Sequence, residues 1–210
     1  MNYLEIGFGN WPYLPFGEFF QAWLFEPDHA RVIHARDYLI WKASLKGRVL
    51  QKLSKEKDHW LLEFSDNSKA RLYWTKIQEK ILPTIHEARF HNFFSDSSIP
   101  LNERLEAIET ISKKTNKNSI VIVISSQTPG VFKAKELEKE FEKKGFKTER
   151  FSRSRQVFRK LYPDYPGYLK LKEKNGLKAW YYWTRYKWIS LTRFSHYGDY
   201  RPFVIAFKKN

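Results

Sequence analysis

Residues 3–9 of the chain read YLEIGFG, a short apolar segment that runs directly into two glycines. The first four residues favour a strand, because aromatic and β-branched side chains suit a buried sheet. Gly7 and Gly9 favour a turn in which the backbone comes close to a ligand, as in the nucleotide-binding half of many α/β folds. A third glycine is expected two residues later, but that position is Trp11. The opening therefore predicts a strand and a ligand-binding turn in which the indole of Trp11 stands in place of the third glycine.

Composition limits the class of protein. The 210 residues suffice for one large domain, and 42% of them are hydrophobic, so the chain can bury a core. The absence of cysteine excludes disulfides and thiolate metal sites, and nothing else in the pattern favours a metal. No apolar run approaches the ~20 residues that a membrane helix needs, and no signal-peptide pattern opens the chain. We therefore expect a cytoplasmic protein without a membrane span.

The charge points to a polyanionic partner. The net charge is +15, from 38 Lys and Arg against 23 Asp and Glu, and nucleic acid is the simplest partner for such a surplus. Aromatic residues make up 18% of the chain, and their rings can stack on bases while cations hold phosphates. Both kinds of residue are concentrated in a basic, aromatic-rich insertion at about residues 152–187. The alternative is that half of these aromatic side chains belong to the core.

Periodicity along the chain predicts alternating strands and helices. Residues 28–46 favour a helix that Asp28 caps and Gly47 closes. Further helices are expected at 100–114 and 131–144, and strands at 19–25, 70–74, 119–124, 146–151, 188–194 and 203–207. The run of β-branched residues at 119–124 is typical of a central strand that is buried on both faces. The order predicts an α/β fold over a single domain, residues 1–210: a Rossmann-like, mainly parallel sheet with helices on both faces and a closing antiparallel strand pair.

Five short stretches indicate which α/β family the chain is similar to. They are LEIGFG at 4–9, LFE at 24–26, DNS followed by RLY at 66–73, HEAR at 86–89, and TRF with a later glycine and strand at 192–207. In this order they resemble the class I methyltransferases and, more narrowly, the tRNA (guanine-N7) methyltransferases. The third stretch resembles the turn and strand before the catalytic loop of that family, and the fourth resembles the basic stretch after the loop.

The resemblance implies S-adenosylmethionine as the cofactor and RNA, most simply tRNA, as the substrate. It places Glu5 and Glu26 at the cofactor, where Glu26 would accept hydrogen bonds from the ribose hydroxyls. It also implies that Gly7 and Gly9 let the backbone approach the cofactor. Four residues are expected on the substrate side: His86, Arg89, Thr192 and Arg193. No catalytic residue is assigned.

The chain also departs from the family pattern, and two alternatives follow. Residues 75–78 read TKIQ where the family has Pro-Asp-Pro-Trp, and the family's aspartates have no counterpart at 52–54 or 125–127. The resemblance in fold therefore extends further than the resemblance in activity. The expected methyltransferase could be catalytically degenerate. One alternative is a non-catalytic nucleic-acid-binding module in which Trp11 fills the cofactor space. The other is a nuclease or base-excising enzyme that uses His196 and Asp199 as an acid–base pair.

Overall fold

The structure is a computed structural model that describes residues 1–9, 12, 20–94, 96–126, 134–151 and 202–209. The strands are β1 Asn2–Ile6, β2 Gln21–Phe25, β3 Leu50–Lys55, β4 His59–Phe64, β5 Lys69–Tyr73, β6 Ile85–His91, β7 Thr115–Ser126, β8 Phe146–Phe151 and β9 Pro202–Lys209. Among the described residues, the helices are α1 His29–Ser44, α2 Leu101–Lys114 and α3 Ala134–Lys143, and a 3-10 turn lies at Glu79–Ile81. Several predictions lie outside the described residues: those for Trp11, for residues 152–187, for the strand at 188–194 with Thr192 and Arg193, and for the pair His196 and Asp199.

All nine strands of the described residues form one sheet, in the order β3-β4-β5-β2-β1-β6-β7-β9-β8. The five strands β5, β2, β1, β6 and β7 are parallel to one another. β9 lies between β7 and β8 and is antiparallel to both, which forms the closing antiparallel pair. Because the first strand lies in the centre and the chain winds outward on both sides, this is the Rossmann-like order that the sequence predicts.

Helices cover both faces of the sheet. Because successive strand residues point to opposite sides, neighbouring residues of β1 meet different helices. Tyr3 packs with the buried side chains of α1 on one face. Leu4 packs with α2 and α3 on the other face. The α1 helix begins as its sequence predicts, because the Asp28 carboxylate accepts the N–H groups of the first turn at 2.9 and 3.3 Å. No helix among the described residues is both long and apolar enough to cross a membrane.

A hairpin extends the sheet beyond its parallel part. β3 and β4 pair antiparallel, and β4 in turn pairs antiparallel with β5. β3 therefore runs in the same direction as β5 and the other parallel strands. As a result, the turn between β3 and β4, residues 56–58, lies at the carboxyl edge of the parallel strands.

The strand beside β1 is not the one that the sequence resemblance implies. Residues 86–89, which resemble the basic stretch after the family's catalytic loop, lie inside β6, and residues 87–90 pair with β1. Residues 71–73, compared with the strand before the catalytic loop, belong to β5 and lie beyond β2. In a doubly wound sheet the fourth parallel strand is the one that adjoins the first, so β6 occupies that place. The charged residues Glu87 and Arg89 give β6 the composition of a loop, although they form an ion pair 2.6 Å long and Arg89 is buried.

Asp66 holds the turn between β4 and β5. Its carboxylate accepts hydrogen bonds from the backbone and hydroxyl of Ser68, both at 3.0 Å, and pairs with Arg48. Burial raises the pKa of Asp66, but the hydrogen bonds from Arg48 and Ser68 outweigh burial and hold the pKa below its usual value. The Ser68 hydroxyl in turn accepts the N–H of Phe20, so the turn also anchors the start of β2.

We predict that Asp66→Asn lowers the free energy of unfolding by about 1–2 kcal/mol at neutral pH, because it removes a charge-assisted bond. A carboxyl group whose pKa is lowered by folding stabilises the protein above its unfolded pKa of about 3.9 and loses that effect as pH falls through the folded pKa. Urea unfolding at neutral and acid pH should therefore show the difference shrinking in acid. Glu56→Gln, on an exposed residue of the hairpin turn, is the control. An equal loss at both pH values would contradict the role of the charge.

Candidate functional site

The carboxyl ends of the parallel strands bring together residues that are distant in sequence. Gly7 follows β1, Glu26 follows β2, Trp74 follows β5 and Asn92 follows β6. The chain leaves β1 for β2 on one side, while β6 adjoins β1 on the other. In open α/β sheets, ligands bind outside the carboxyl ends at this point, because the connections diverge there and leave a crevice. This edge is the candidate site.

Gly7 sits where the backbones of β1 and β6 leave no room for a side chain. Its φ is +68°, in the left-handed region that favours glycine. A Cβ atom at this position would lie 2.7 Å from the carbonyl oxygen of His91. The Gly7 N–H donates to the carbonyl of Phe25 at 2.9 Å, which connects the turn to the end of β2. Gly7 therefore holds the ends of β1, β2 and β6 together.

Glu26 and Gly9 form an acceptor site that no other described side chain fills at Gly9. The Gly9 N–H donates to Oε2 of Glu26 at 2.9 Å, and the Asp28 N–H donates to Oε1 at 3.3 Å. Glu26 is only 5% exposed, yet each carboxylate oxygen can accept a further hydrogen bond. Gly9 has φ +59°, and a Cβ there would meet no atom of the described residues within 4 Å. The buried Glu26 carboxylate next to the Gly9 backbone therefore suits a ligand with hydroxyl donors.

A row of buried polar side chains lies directly beneath the turn. Glu5 is fully buried, and its carboxylate accepts the Tyr3 hydroxyl at 2.8 Å. Nε2 of His91 lies 2.8 Å from the other carboxylate oxygen. Burial and the nearby Glu5 raise the pKa of Tyr3 well above its usual value. Burial lowers the pKa of Arg89, but Tyr3 and Glu87 outweigh this effect and raise it. The hydroxyl and the guanidinium therefore both stay protonated.

The structure gathers some of the predicted site residues and separates others. Glu5, Gly7, Gly9 and Glu26 lie together at the carboxyl edge. His86 lies near the opposite end of β6, where its Nδ1 accepts the N–H of Asn2 at 3.1 Å. Arg89 is 5% exposed and lies next to Glu5 in the strand register. The structure brings neither His86 nor Arg89 to the surface of the candidate site.

Sequence reasoning missed residues that follow strand ends or begin a helix. Arg31 lies with its guanidinium nitrogens 3.9 Å from Glu26 and 3.3 Å from Asp28. The ring of Trp74 meets His29 edge-on, with centroids 4.8 Å apart. A correct prediction of where β5 and β6 end would have located Trp74 and Asn92, because each of them directly follows one of those strands. Among the described residues, no group of three or more His, Asp or Glu side chains is arranged to hold a metal ion.

Comparisons with known proteins agree on the fold. No protein-family model and no curated protein sequence matches the chain. A candidate rRNA methylase of Clostridium thermocellum matches all of this chain and 88% of its own, with 12% identity and a TM-score of 0.53. A TehB-like SAM-dependent methyltransferase of Corynebacterium glutamicum matches all of this chain and 80% of its own, with 9% identity and a TM-score of 0.50. The chain therefore has the Rossmann-like fold of class I SAM-dependent methyltransferases.

We predict that Gly7→Ala costs at least about 2 kcal/mol of unfolding free energy, from a strained backbone and a clash with a backbone oxygen that cannot move away. Gly47→Ala is the matched control, since Gly47 has φ +72° and no described atom within 4 Å of the added carbon. It should cost only about 1 kcal/mol, the conformational part alone. Thermal and urea unfolding measure both variants. Equal losses would show that the approach to His91 does not constrain the turn.

Proposed function

We propose that this protein binds S-adenosylmethionine at the carboxyl edge of the sheet and transfers its methyl group to RNA, with tRNA the substrate that the sequence resemblance favours. The observation that carries the proposal is the buried Glu26 carboxylate beside the Gly9 turn. An acid at the end of the second strand, about twenty residues after the glycine turn, is the ribose-binding arrangement of nucleotide folds.

The described residues suit this cofactor in two ways. Glu26 offers acceptor positions for both ribose hydroxyls. Among the described residues, no atom lies within 4 Å of a Cβ built at Gly9, so none of them keeps the cofactor from the backbone there. When bound, S-adenosylmethionine supplies an electrophilic methyl group on a positively charged sulfonium. The Glu26 carboxylate lies at this edge and favours a cation there, because opposite charges attract most strongly where water is scarce. The protein's own part is to hold and align the reacting groups.

RNA is the proposed substrate class because of charge and fold. The net charge of +15 suits a polyanion. The candidate rRNA methylase of Clostridium thermocellum shares the fold. Methyl transfer to a ring nitrogen of a base depends more on alignment than on acid–base catalysis, so it does not require the carboxylates that the family pattern has and this chain lacks.

The residues that follow β5 and β6 favour a second candidate, a non-catalytic RNA-binding module. Trp74 and Thr75 follow β5, and Asn92 and Phe93 follow β6, so no carboxylate immediately follows either strand. A protein of this kind would keep the fold and bind RNA without transferring a methyl group.

Calorimetric titration with S-adenosylhomocysteine tests the cofactor site. We expect Glu26→Gln to weaken binding at least tenfold, because the amide replaces one acceptor oxygen with a donor. Glu106→Gln, on an exposed acid of α2, should leave binding unchanged. The absence of binding to the unmodified protein at millimolar ligand would reject the enzymatic proposal.

Transfer of a labelled methyl group to separated tRNA and rRNA fractions distinguishes the two candidates. The enzyme is supported if RNA becomes labelled and if Glu26→Gln reduces this labelling in proportion to its loss of affinity for S-adenosylhomocysteine. RNA binding without labelling of any fraction supports the binding module instead.

A further inference from the structure

The hairpin of β3 and β4 carries a ladder of rings and cations at the same edge as the candidate site. The guanidinium carbon of Arg36 lies 4.6 Å from the centre of the Trp60 ring. Nζ of Lys55 lies 5.8 Å from Trp60 and 5.7 Å from Trp74. Trp74 in turn meets His29, the first residue of α1. The ladder therefore runs from the hairpin to the helix start that follows Glu26.

The tip of the hairpin is exposed and basic. Lys52, Lys55 and Lys57 are all exposed. Of the two acids in the tip, Asp58 lies 2.9 Å from Nδ1 of His59, so its carboxylate is engaged within the hairpin. Glu56 is exposed. Over the segment 46–76, Lys and Arg outnumber Asp and Glu, so the surface has a positive field.

We propose that this ring-and-cation ladder docks single-stranded RNA and leads it to the candidate site. The inference deepens the proposed function and rests on it, since it names where the RNA substrate lies. Lys55 and Lys57 hold phosphates of the backbone, and the half-buried ring of Trp74 stacks on a base. The direction of β3 places Lys55 and Lys57 at the same edge of the sheet as Glu26, with β4 and β5 between β3 and β2. Trp74 bridges part of this distance, because it follows Tyr73, whose carbonyl accepts the N–H of Glu26 at 3.0 Å.

The chemistry of the ladder favours RNA over an acidic protein. Planar rings alternate with cations, and this is the arrangement that binds a stacked base and its phosphate together. Carboxylates of a protein partner would use the cations but leave the indoles without a planar partner. A single strand suits the surface better than a duplex, since only unpaired bases can leave their stack to meet a ring.

The charge arm of the test compares two double variants. In fluorescence anisotropy with labelled oligouridylate, Lys55→Gln/Lys57→Gln should reduce the slope of log affinity against log salt by about 1.4, or 0.7 for each phosphate contact. Lys80→Gln/Lys117→Gln removes the same charge from exposed positions, one in the loop before β6 and one near the start of β7, away from the ladder. It should change the slope little. Equal slopes for the two double variants would overturn the proposal.

The stacking arm uses Trp74. We expect Trp74→Leu to weaken binding of oligouridylate about tenfold without changing the salt slope, and Trp74→Phe to restore most of it, because any aromatic ring can stack. Unchanged binding in Trp74→Leu overturns the stacking contact. A loss of S-adenosylhomocysteine binding with RNA binding intact assigns the ring to the cofactor instead, and also overturns the contact. Melting temperatures establish that each variant is folded.

Two further probes separate this inference from the proposed function. A duplex RNA of the same length and polyglutamate should both bind more weakly than oligouridylate, and the lysine pair should matter least for polyglutamate. Equal binding of all three probes would show a general polyanion surface and reject the RNA ladder. If S-adenosylhomocysteine does not bind but the lysine and tryptophan variants lose RNA as expected, the methyltransferase proposal fails while the docking surface remains.

Discussion

The backbone of Gly7 lies against the carbonyl group of His91, and the arrangement of the candidate site depends on that close approach. A side chain at this position would push β1 and β6 apart, since its first carbon would stand 2.7 Å from the His91 oxygen. The same turn hydrogen-bonds to the end of β2 through Phe25. Three strand ends are therefore held at one point, and Glu26 and Gly9 meet because of it.

The buried polar row beneath the turn places an electrostatic constraint on the same strands. A fully buried carboxylate such as Glu5 is costly unless it is hydrogen-bonded or paired. Tyr3 donates to it from its own strand, while His91 and Arg89 approach from β6. Separation of β1 from β6 would remove His91 and Arg89 from Glu5, so the pairing of the two strands and the charge balance around Glu5 are coupled.

Local signals predicted much of the fold. Asp28 and Gly47 marked the ends of α1 because capping and left-handed turns depend on neighbouring residues alone. The β-branched run at 120–124 identified an interior strand, since β7 lies between β6 and β9. Val121 and Val123 are buried, while Ile120 and Ile122 are partly buried. β6 escaped the same reasoning, because the pairing of Arg89 with Glu87 makes a buried strand look like a basic loop.

The sequence by itself determined the opening strand, its glycine turn and an acid at Glu26 in the spacing of a ribose site. These features lie close together along the chain, so their pattern can be read directly. Only the tertiary structure decided that His91 meets Glu5 and that the β3–β4 hairpin stands at the edge of the site. Both depend on which strands are neighbours and in which direction they run, and these are set by packing between segments far apart in sequence.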